Sequence, residues 1–161
     1  MKKSWIKTEN NSYQFSVDDH IIGNLSIAVN SMERTGIVTI DGQKFIIKMT
    51  GIWKNSFEIT DKNEKQIAKA YYEKWYANSL ILEYKNQQLK LVIRNNPLAE
   101  WAVLNGDQTI LSYGLTAENG KAGVKISNSH QTDYLLDFLL WYLFVPIATE
   151  NSGDHFLLMV I

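Results

Sequence analysis

The chain has no cysteine, two prolines and three histidines among its 161 residues. Disulfides, thiolate metal ligands and cysteine nucleophiles are therefore excluded. His20, His130 and His155 lie far apart and form no i, i+4 pair, and Asp154 beside His155 would point to the opposite face of a strand. No metal and no cofactor are expected. Glu150, Asn151, Ser152 and Asp154 could offer oxygens to calcium, but the EF-hand spacing and its terminal Glu are missing, and the stretch reads as a solvated turn. There is no Gly-x-Ser-x-Gly elbow, phosphate loop, dinucleotide fingerprint or HExxH, and an enzyme is not expected. A net charge of −1 argues against a dedicated nucleic-acid binder.

Basic residues stop at Lys125. Residues 1–125 carry sixteen basic and thirteen acidic side chains, net +3, whereas residues 126–161 carry Asp133, Asp137, Glu150 and Asp154 with nothing basic, net −4. In a lysine-rich chain such a tail is most simply explained by burial. The N-terminus, MKKSWIKTEN, has a basic start but no apolar stretch behind it, so no signal peptide is read and a cytoplasmic location is expected. The sequons at Asn10 and Asn24 then carry no meaning.

At 45% hydrophobic and 20% charged, the composition is that of one globular domain spanning residues 1–161. From Tyr13 to about Ser127 the pattern is strand, turn, strand. Asp41-Gly42 between alternating runs marks a two-residue hairpin, with Val38 opposite Phe45 and Thr39 opposite Lys44. Leu80, Leu82 and Tyr84 share a face with Leu89, Leu91 and Ile93 across a Lys85–Gln88 loop. Trp53 to Thr60 forms another run, closed by Asp61-Lys62-Asn63-Glu64. Further turn signals stand at Gly23-Asn24, Asn95-Asn96-Pro97, Asn105-Gly106-Asp107 and Glu118-Asn119-Gly120-Lys121, while Asp18-Asp19 reads as a solvated turn. This rhythm predicts an antiparallel meander of nine to eleven strands. A sheet that long closes into a β-barrel to remove its edges.

Thr132 or Asp133 can then cap a helix. Tyr134 to Ile147 reads YLLDFLLWYLFVPI, apolar on every side, and Pro146 with the ENSG stretch should end it, giving a helix over about 132–147. Fourteen residues span only about 21 Å, short of a ~30 Å hydrocarbon core, and Asp137 near the centre opposes insertion. The predicted fold class is therefore mainly β: a closed antiparallel barrel enclosing one hydrophobic C-terminal helix. His155 to Ile161 is short enough for a last strand.

A meander followed by an apolar helix, together with FSVDDHIIGNLSI (Phe15–Ile27) and FEITDKNEKQIAKA (Phe57–Ala70), resembles the tubby C-terminal superfamily, which includes LURP-one-related proteins and phospholipid scramblases. The resemblance covers roughly Tyr13 to Ala148 and implies a fold more than an activity. Tubby-like domains bind phosphoinositides through basic surface residues, but no dense basic cluster here receives such a site. The acidic calcium-linked segment and the membrane helix of scramblases have no counterpart, so scrambling is not implied.

The surface candidate is the run from Lys69 to Tyr76. Read as a strand, it places Tyr72, Lys74 and Tyr76 on one face and Tyr71, Glu73 and Trp75 on the other. Aromatics with lysines suit a membrane interface. The site residues expected are Lys69, Tyr72, Lys74, Trp75 and Tyr76, on a non-enzymatic domain that binds lipid headgroups or a partner at a membrane surface. The alternative is a lipocalin-like barrel carrying a small apolar ligand in its lumen, with the helix outside as a lid. A third reading makes residues 131–161 a short tail anchor.

Overall fold

Side chains that alternate between buried and exposed build almost the whole molecule from strands. The computed structural model describes residues 1–30, 33–51, 55–95, 98–128, 131–152 and 157–160. The strands are β1 (Lys3–Glu9), β2 (Ser12–Val17), β3 (His20–Val29), β4 (Arg34–Ile40), β5 (Gln43–Thr50), β6 (Ser56–Asp61), β7 (Gln66–Tyr72), β8 (Ser79–Tyr84), β9 (Gln87–Asn95), β10 (Ala99–Asn105), β11 (Gln108–Glu118) and β12 (Lys121–Asn128). Each pairs antiparallel with the next in chain order. Helix α1 (Tyr134–Ser152) follows, and a final strand, β13 (Leu157–Val160), pairs parallel with β12. It brings the last edge beside β1, so the sheet is nearly closed into a barrel.

Most of the expected turns are in place. Val38 pairs with Phe45 and Thr39 with Lys44 around Asp41-Gly42, both at positive φ. Lys85-Asn86, again at positive φ, joins β8 to β9 with Leu80 opposite Leu91 and Leu82 opposite Leu89. Trp53 and Asn96-Pro97 lie outside the described residues.

Three expectations are corrected. The meander has twelve strands rather than nine to eleven, because the N-terminal segment is itself strand β1, with Trp5 buried. Gly23-Asn24 is not a turn: it sits inside β3, and the reversal falls at Asp18-Asp19, both at positive φ. Gly23 is needed for close approach instead, since a Cβ there would stand 2.2 Å from the Thr39 carbonyl oxygen and 3.1 Å from the Phe138 ring. Finally, α1 does not stop at Pro146 but runs to Ser152, so Glu150 to Ser152 belong to its last turn rather than to a solvated loop.

The helix passes Pro146 because the backbone group that proline leaves unpaired finds a partner elsewhere. Proline has no N–H to give the carbonyl four residues back, which is that of Tyr142. Arg34, at the start of β4, supplies the donor: its Nη2 donates to the Tyr142 oxygen at 2.5 Å. The Tyr142 hydroxyl donates in return to the Arg34 carbonyl at 2.6 Å, and the guanidinium lies 4.3 Å from the centre of the Tyr142 ring. Arg34→Ala should cost roughly 1.5–3 kcal/mol, the range for hydrogen bonds to charged groups. In a Pro146→Ala background, where the ordinary helical bond can form, the same change should cost clearly less. Denaturant midpoints of the four proteins test this, and equal costs in both backgrounds would exclude the compensation.

Leu135 to Val145 are eleven consecutive buried residues, three turns with no exposed face, and α1 therefore lies within the curl of the sheet. Trp5 of β1 stacks on Trp141 at 5.3 Å between ring centres and meets Phe138 edge-on at 5.0 Å. From β4, Gly36 leaves room for the Tyr142 ring, which a Cβ would approach to 2.9 Å. Asp137, buried in the same core, is held by the Lys3 ammonium at 2.8 Å and accepts from the Tyr113 hydroxyl at 2.8 Å. The Trp5 indole N–H donates in turn to that hydroxyl at 3.0 Å. Among the described residues no helix is long and apolar enough to cross a membrane.

Candidate functional site

The strand expected over residues 69–76 ends at Tyr72. Up to that point alternation holds: Ala68, Ala70 and Tyr72 pack inward, while Lys69 and Tyr71 face out. Tyr72 is thus half-buried against the core. Residues 73–78 form a loop, and the two-face assignment of Lys74, Trp75 and Tyr76 does not apply to them.

That loop presents its rings to solvent. Trp75 is 92% exposed and Tyr76 67% exposed. The two rings meet edge-on at 5.5 Å, and the Lys74 ammonium stands 5.9 Å from the Tyr76 ring centre, within cation–π reach. A turn bond from the Ala77 N–H to the Lys74 carbonyl at 3.0 Å closes the tip. The three residues form one protruding aromatic and cationic knuckle.

Lys69 belongs to a different surface. In register it stands opposite Glu58 of β6 and Glu83 of β8, with its ammonium 5.3 Å from the Tyr71 ring. Tyr71 donates its hydroxyl to Glu83 at 2.9 Å, and that hydrogen bond raises the phenol above its ordinary pKa. This outer wall continues into an open groove of about 630 Å³ that also includes Lys65 and Lys85, away from the knuckle toward the other end of the strands. The candidate is therefore split: Lys74, Trp75 and Tyr76 come together, while Lys69 and Tyr72 stay on the strand.

Near the helix start, Asp133 accepts from the Tyr84 hydroxyl at 2.9 Å and from Lys85 at 2.5 Å, tying the β8–β9 turn to the start of α1. Burial, then the Asp133 charge, raises the Tyr84 phenol. These contacts join residues 49 and 48 positions apart and leave no local signal. His20 lies exposed with its Nδ1 2.9 Å from the Asp18 carbonyl oxygen, while His130, His155 and Asp154 lie outside the described residues. Among the described residues no group of three or more metal-ligating side chains comes together.

Compared with protein-family models, curated proteins and solved structures, the chain has no match.

Proposed function

We propose that the protein is a non-enzymatic barrel of the tubby C-terminal kind that docks on a membrane surface through the loop between β7 and β8. The observation that carries this reading is Trp75, 92% exposed at a loop tip with Tyr76 in contact and a lysine alongside. An indole held in water gains when it moves to headgroup depth, where its apolar body leaves water and its N–H keeps a polar partner. A lipocalin-like carrier requires an open lumen, and the helix buried along residues 135–145 occupies that space, which favours the surface reading.

Lys74 stands next to Glu73, so the loop brings no excess charge and the rings supply the affinity. Cosedimentation of the full chain with phosphatidylcholine vesicles, with and without phosphatidylserine, tests this. Binding should change little between low and physiological salt. Trp75→Ala with Tyr76→Ala should weaken it at least about tenfold, since removing roughly 1.4 kcal/mol suffices for that factor. A steep loss with salt would replace this reading with an electrostatic one. A parent that ignores both vesicles, or a double variant that binds unchanged, would remove the membrane role from this loop.

A further inference from the structure

In an antiparallel meander, successive connections fall alternately at the two ends of the barrel. The hairpin β4–β5, the connection β6–β7, the turn β8–β9 and the start of α1 therefore meet at one end. There they line an open mouth of about 500 Å³, within the range of small-molecule sites, which barrels commonly hold at their mouths. The helix fills the lumen only from its first turn onward, so this space lies beyond its N-terminus.

Much of its wall is apolar. Ile40, Phe45 and Tyr134 are half-buried at the rim of the core, and Leu135 is buried behind them. Ile67 joins them through a β-bulge: Ala68 pairs with Ile59 and Gln66 with Thr60, which leaves Ile67 opposite no residue of β6. Bulges at barrel rims re-aim side chains in this way. The charged groups of the wall are two carboxylates and one lysine. Asp133 is already neutralised, accepting from Lys85 at 2.5 Å and from the Tyr84 hydroxyl at 2.9 Å. Asp41 is not: at the exposed hairpin tip its carboxylate has no partner among the described residues.

We propose that this mouth binds a small organic ammonium, its apolar body on Ile40, Phe45, Ile67 and Leu135 and its charged nitrogen against Asp41. Among the described residues the uncompensated charge in the wall is negative, and that sets the sign of the ligand. An anion would gain Lys85 only by displacing Asp133 from a bond already made, and a neutral ligand would leave Asp41 unused. A carboxylate beside apolar surface holds an ammonium through a charge-assisted hydrogen bond, which is stronger than a bond between neutral groups. The loop between β7 and β8 falls at the other end of the barrel, so this site and the membrane reading stand or fall separately.

Titration calorimetry of the full chain at neutral pH, with three probes of similar shape, tests this: phenethylamine, phenethyl alcohol and hydrocinnamate. Phenethylamine should bind about tenfold more tightly than the other two, the difference a charge-assisted bond supplies. Asp41→Asn should erase that preference and leave the fold intact, because Asn-Gly serves the same two-residue turn as Asp-Gly. In nuclear magnetic resonance spectra, the shifts that the amine induces should gather at residues 40–45, 67 and 133–135. Equal binding of all three probes at those residues would overturn the ammonium assignment, as would a preference that survives in Asp41→Asn. Shifts centred elsewhere, or neither heat nor shifts with any probe, would overturn the mouth as a binding site.

Discussion

A chain ending at residue 130 will not fold. Ten large apolar side chains between Leu135 and Val145 are buried, and at roughly 1.5–3 kcal/mol each they contribute on the order of 15–30 kcal/mol to burial. Net stabilities of single domains are about 5–15 kcal/mol. Without the helix, Trp5, Phe15, Leu25, Val38 and Ile47 on the inner face of the sheet would face water, and Lys3 would lose its buried counter-charge. The truncated protein should show neither the near-ultraviolet dichroism of packed aromatics nor a monomeric elution volume. A tail anchor predicts the reverse, a folded barrel once residues 131–161 are gone, so recovery of a monodisperse β-rich fragment would refute the enclosed helix.

The barrel was legible because its signals are local. Asp-Gly, Asn-Gly and Asp-Asp turns separate alternating runs, and an apolar stretch with no polar stripe has to be surrounded. Three of the departures came from partners distant in sequence. Lys3 occupies an inward position of β1, which spoils the alternation of KSWIKTE unless Asp137, 134 residues away, is known to receive it. Pro146 reads as a stop unless Arg34 is known to bind the carbonyl it leaves without a donor. Gly23 reads as a turn until Phe138 is seen against it. Aromatic residues favour strands, so the run to Tyr76 reads as one strand, whereas the β7 ladder ends at Tyr72. The aromatic and cationic character of the candidate surface was visible in composition. That Trp75 and Tyr76 protrude together is a property of where β7 ends, which the sequence does not mark.

The contribution of Asp137 to stability will fall as pH rises from about 4 to about 6, and this slope will vanish when the residue can no longer ionise. Burial raises its carboxyl from 3.8 to about 6, and the Lys3 ammonium and the Tyr113 hydroxyl only partly oppose that rise. Between the two values the folded chain holds a proton that the unfolded chain has released. The stabilisation is therefore complete below the unfolded pKa and is lost as pH passes the folded one. A shift of about two units corresponds to roughly 3 kcal/mol. The informative quantity is the difference between parent and variant. Asp137→Asn alone strands Lys3 as a buried unpaired ammonium and should cost about 3–5 kcal/mol, whereas Lys3→Met with Asp137→Asn should regain most of that loss and show the flatter profile. Lys3→Met alone removes the cation that favours ionisation, so its loss of stability should deepen at higher pH, where the carboxylate must charge without a partner. Denaturant midpoints at pH 4.5, 6 and 7.5 for the four proteins decide the matter. Parallel profiles in parent and double variant would show that Asp137 is already ionised throughout this range, and that the Lys3 pair fully offsets its burial.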